Sequence, residues 1–234
     1  MKVFRTNLRN VVAIATCLAV STMFFSCEEE ETKKPAVTNN FVIEATNVLG
    51  GSSDIATVRA LEPISYDEIA SAEYKNNGFK MTLPKTMASK YLRYGASDYF
   101  DAPLNLVSDK NAKLATVELI AFNSTGDEFG EFYWEAETYS YYVSAGYVYA
   151  DRDFTVKGTD NSGSYEVKWD CTFKKGWNVL YWYEDSDSGD ESYTTQKPSG
   201  VNLKWYFSSW YDKNSGSRSL KSVKSQRMGL KQPR

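Results

Sequence analysis

The chain has 234 residues, with 27 Lys and Arg against 30 Asp and Glu, no histidine and only three cysteines. That length holds one or two domains with a real hydrophobic core. Without histidine there is no Ser-His or Cys-His nucleophile system, no general base of the usual neutral-pH kind, and no Cys/His zinc site.

Residues 1–26 read as a secretory signal peptide. Lys2, Arg5 and Arg9 form a basic start, and the 15 residues from Val11 to Phe25 carry no charge. That run is shorter than the about 20 residues a spanning helix needs. Ser26 places a small residue before Cys27, and Glu28 to Glu31 follow at once. This arrangement predicts a lipoprotein lipidated at Cys27. Loss of the leader removes three basic residues, leaving 24 basic against 30 acidic side chains and a net charge of −6.

Phe24-Phe25-Ser26-Cys27 with its acidic run resembles the lipoprotein leaders of Bacteroidota. The resemblance implies a lipid-anchored protein of the outer membrane that faces the cell exterior, the periplasmic face being the alternative. Cys17 leaves with the leader and Cys27 carries the lipid, so Cys171 alone remains and no intramolecular disulfide can form.

Residues 27–40 are acidic and polar, contain Pro35 and read as a tether, about 45 Å long when fully extended. From residue 41 the hydrophobic pattern has period two between turn signals. Strands are expected at 41–48 and 55–61, then at 68–75 and 79–83 as a hairpin across Asn76-Asn77-Gly78, where Asn-Gly tolerates positive φ. Pro84 ends the second of these, having no amide hydrogen for a ladder. Residues 85–110 are less regular, with one short strand at 91–94.

The pattern resumes at 113–122, with Ala115, Val117, Leu119 and Ala121 on one face, and continues at 129–135, 139–150 and 154–157. The clearest strand is 166–173, where Val167, Trp169, Cys171 and Phe173 alternate with polar residues. A tight turn at Lys174-Lys175-Gly176 leads into 177–183, and 201–207 closes the body. Eleven or twelve short strands predict an all-β fold, an antiparallel β-sandwich over residues 41–210. The alternatives are a barrel-like variant, or two small sandwiches split near residue 110.

The stretches 79–84 and 147–158, with Gly176-Trp177-Asn178 and Pro198-Ser199-Gly200, resemble all-β surface lipoproteins of Bacteroidota. That resemblance implies the fold and cell-surface display, and no particular activity. Residues 211–234 carry seven basic residues against Asp212 and read as a basic, disordered tail. The remaining body is about −12, a charge that does not seek nucleic acid.

All six tryptophans lie between residues 134 and 210, and twelve of the seventeen tyrosines lie from Tyr133 on. Flat rings stack on sugars, so ring-bearing positions opposite a core face are candidate ligand contacts: Trp182, Tyr206, Trp210 and Tyr142. The same rings also fill β cores. Five acids in residues 184–191 read as a hairpin loop rather than a calcium loop, and no cofactor is expected. Asp98, Asp101, Glu118, Glu135 and Glu137 are the carboxylates from which a glycosidase pair could be drawn. The leading expectation is a non-enzymatic binding module for a glycan or peptide. The alternatives are a structural or interaction protein, such as a fimbrial or envelope-complex subunit, and a polysaccharide hydrolase.

Overall fold

The computed structural model describes residues 40–210. The signal peptide, Cys27, the tether up to residue 39 and the basic tail lie outside the described residues. The body is all-β and holds thirteen strands. The first five are β1 (Val42–Ala45), β2 (Thr57–Leu61), β3 (Glu68–Glu73), β4 (Phe79–Thr82) and β5 (Tyr94–Gly95). Next come β6 (Lys113–Phe122), β7 (Glu128–Glu137), β8 (Tyr141–Ala150) and β9 (Phe154–Asp160). The last are β10 (Val167–Phe173), β11 (Gly176–Asp185), β12 (Glu191–Thr194) and β13 (Lys204–Ser209). A five-residue helix, α1 (Ala96–Phe100), follows β5 in the stretch whose pattern is least regular.

Eleven strands form one large sheet in the order β3-β2-β6-β7-β8-β11-β12-β10-β9, with β13 on β7 and β5 on β6; β1 and β4 form a separate pair. The sheet is continuous across residue 110, because β2 pairs with β6 along its whole length. It is mixed, not wholly antiparallel. The short β12 lies parallel to β10 and antiparallel to β11. The turn at residues 174–176 therefore opens into a wedge whose mouth β12 fills, hidden in sequence behind the acidic loop.

The Asn76-Asn77 turn forms with φ of 52° and 56°, and Lys75 and Gly78 make an isolated bridge. The two strands flanking it nevertheless do not pair with each other. β3 pairs with β2, whereas β4 pairs with β1 in the register Ile43↔Met81 and Ala45↔Phe79. The burial patterns supply the reason. β4 alternates buried and exposed residues and matches β1, while β3 has no fully buried residue to offer it.

Residues directly opposite across a ladder share a face, and this locates two cores on opposite faces of the central strands. In the first, Ile43, Phe79 and Met81 from β1 and β4 cover Val58, Leu119, Phe132, Trp205 and Phe207. The Trp177 indole N–H donates to the Pro84 carbonyl at 2.8 Å and ties β11 to the end of β4. In the second, Phe100 of α1, Phe154, Trp169, Cys171 and Phe173 close over Leu114, Val148 and Leu180. Burying each such ring contributes about 2–3 kcal/mol. β8 serves both cores and is buried at eight of its ten positions, which is why it reads as a near-continuous apolar run.

Candidate functional site

β6, β7 and β8 each change partner halfway along. The first part of β6 pairs with β8, from Leu114↔Ala150 to Val117↔Tyr147. Its last part pairs with β7, at Ile120↔Glu131 and beyond. The second half of β7 then pairs with the first half of β8, from Trp134↔Ala145 to Glu137↔Tyr142. The three ladders diverge around Glu118 and Leu119, Phe132 and Tyr133, and Gly146. A register shift between Ala121 and Phe122 inserts Phe129 as an extra residue beside this junction. Such a bulge bends the strand and re-aims its side chains.

The divergence leaves a cavity of about 110 Å³. Glu118, Glu131, Ser144, Tyr99 and Tyr133 are among its walls; Trp134, Tyr147 and Trp205 border it too, but their rings belong to the first core on the other face of the sheet. Glu131 is 7% exposed and Ser144 is 3% exposed. The ladder geometry places Glu118 diagonally across from Glu131 on one face, a spacing of about 7–8 Å between backbones in a regular sheet.

Burial is the main cause that lifts the Glu118 carboxyl from its ordinary 4.5 to about 7; the charges of Glu131 and Glu62 add to it. Burial also raises Glu131, opposed by the Tyr133 hydroxyl, which donates to its carboxylate at 2.5 Å. Glu62 is 1% exposed and has its own partners. It accepts from the Ser65 amide and hydroxyl, each at 2.7 Å, and lies 3.9 Å from Arg93. Glu118 has no hydrogen bond and no ion pair among the described residues.

On the same face a polar ladder leads away from the cavity. Ser144 lies opposite both Glu135 and Trp182, and Trp182 lies opposite Tyr193. The Tyr142 hydroxyl donates to Glu135. The Trp182 indole N–H and the Tyr193 hydroxyl both donate to Glu191, at 3.2 and 3.0 Å.

The four ring residues expected to contact ligand do not form one surface. Trp182 and Tyr142 are 5% and 7% exposed and pack edge to face, their ring centres 5.5 Å apart. Neither offers an open ring face. Trp182 points away from its core neighbour Tyr181, but it packs against Tyr142 and donates to Glu191 rather than presenting its ring to solvent. Tyr206 is half-buried on β13, directly opposite Tyr133. Trp210 is 48% exposed beyond the end of that strand.

Of the five spare carboxylates, Glu118 alone lines the cavity; its companion Glu131 did not stand out. A signal for both was present. Each is a lone acid within an otherwise uncharged strand segment, Thr116 to Phe122 and Phe129 to Trp134.

The acidic loop is a turn held by its own backbone. Asp185 accepts from the amides of Asp187 and Ser188, both at 2.9 Å. Among the described residues no three His, Cys, Asp or Glu side chains converge in a way that could hold a metal ion. Cys171 is fully buried, and burial pushes its thiol up to about 12. No family model, curated protein or solved structure matches the chain.

Proposed function

We propose that the chain is a non-enzymatic binding lipoprotein. In this reading it is held at the outer membrane through Cys27, faces the cell exterior, and presents a β-sandwich body that binds a glycan or peptide ligand. The observation that carries the binding role is the junction cavity, where a carboxyl group without a protein partner sits beside a second, buried carboxylate and the Tyr99 and Tyr133 rings. Carboxyl groups in such a site hydrogen-bond hydroxyls or amides, and the rings stack on the apolar parts of the same ligand. A fold gains nothing by half-burying Glu118 without a partner, whereas a site for a polar ligand needs such a group.

Glycan and peptide arrays probed with the purified protein test this reading. Binding that is lost in Glu118→Ala with the fold intact supports it. Silence on both arrays, or binding unchanged in that variant, removes the cavity as the site. A fatty-acid probe in cells tests the anchor, because label should disappear in Cys27→Ala.

A further inference from the structure

We infer that the junction cavity receives a primary ammonium group on a short aliphatic stem, of the kind a lysyl side chain of a peptide presents. The inference rests on the binding role proposed above and assigns its ligand class.

Three observations converge on it. The first is charge. Glu118 and Glu131 enter the cavity from adjacent strands, and Glu62 adds a third acid to the field at Glu118. The nearby cations are committed elsewhere: Arg93 lies at Glu62, 3.9 Å away, and Arg59 lies 3.4 Å from Glu68 and 4.0 Å from the centre of the Phe122 ring. The second is the ring wall. Tyr99 and Tyr133 line the same space, and aromatic faces attract an ammonium group most when water is excluded. The third is size. The cavity, about 110 Å³, is roomy enough for several waters and so has space for an alkylammonium head.

Binding is then linked to protons. The groups facing Glu118 are Glu131 and Tyr133 from β7, Glu62 with Arg93 beyond it, Tyr94 of β5 and Tyr99 of α1. Burial raises both of these tyrosines further above the neutral range, so they stay protonated. Glu118 is lifted to about 7 and so changes state near neutrality. An incoming ammonium favours its anion and expels the proton it holds.

Calorimetry of the full chain in detergent tests this with four probes: Nα-acetyl-lysinamide, its uncharged norleucine analogue, glucosamine and glucose. The lysyl probe should bind at pH 8, and at least tenfold more weakly at pH 5.5 and in Glu118→Gln. At pH 7 its binding should release protons, seen as heat that varies with the buffer, and that release should vanish in Glu118→Gln. Equal binding of the norleucine probe overturns the ammonium requirement while leaving the cavity as a site. Preference for glucosamine overturns the peptide assignment. Binding of none of the four overturns both this inference and the role it rests on.

Discussion

Replacing Glu118 by glutamine isolates what the fold gives up by placing that carboxyl in the junction. An unfolded glutamate titrates near 4.5, and in the folded cleft this one is lifted to about 7. Between those values the folded chain holds a proton that the unfolded chain has lost. Stability contributed by the group is therefore complete below pH 4.5 and is lost as the pH rises toward 7. At about 1.4 kcal/mol per tenfold change in proton affinity, the full difference is about 3 kcal/mol; solvent in the cleft lowers this to about 2–3 kcal/mol. The glutamine variant keeps the shape and removes the charge. It should be more stable than the parent by about 2–3 kcal/mol at pH 8.5 and equal to it at pH 4. In urea unfolding that is a midpoint shift of about 1 M at the higher pH, for a slope of about 2–3 kcal/mol per M. A difference that does not depend on pH, or a variant less stable than the parent at pH 8.5, would refute the reasoning that Glu118 is half-buried without a compensating partner.

Gly130→Ala should destabilise the body by about 1–3 kcal/mol, measured by thermal unfolding. A Cβ there would lie 2.2 Å from the Ser208 carbonyl oxygen and 2.6 Å from the Phe207 ring, forcing β13 off β7. Phe173 is fully buried and stacks on Phe154 at 4.7 Å, so Phe173→Ala should cost about 3–5 kcal/mol in denaturant unfolding. Cys171 should resist iodoacetamide in the folded protein at pH 8 and react on unfolding, because its thiol is buried and pushed up to about 12; a thiol assay over a urea series reads this directly.

Much of the local structure was legible in the chain because it depends on near neighbours. The alternation of Phe79 and Met81 with Lys80 and Thr82 becomes β4, with Phe79 and Met81 buried and Lys80 and Thr82 exposed. Val167 to Phe173 becomes β10, and Asn76-Asn77 becomes a turn with positive φ at both residues. Partner choice was less legible. The same turn predicts that β3 and β4 pair, but β4 finds its apolar complement in Ile43 and Ala45, some 35 residues away in sequence, and leaves the large sheet. β12 is four half-buried residues with no apolar period, so only the gap between β10 and β11 could reveal it.

The site divides in the same way. Composition determines that this protein has no histidine chemistry and one thiol in its body, and period two determines which residues share a face, since both depend only on residue identity and the pleat of an extended chain. Whether a face is covered, and by what, depends on contacts between distant segments. Trp182 and Tyr142 are buried against each other beside Glu135 and Glu191, and Glu118 comes near Glu131 because β6, β7 and β8 exchange partners at one point. Only the tertiary structure decided these, because a one-dimensional pattern records the direction of a side chain and not what lies opposite it.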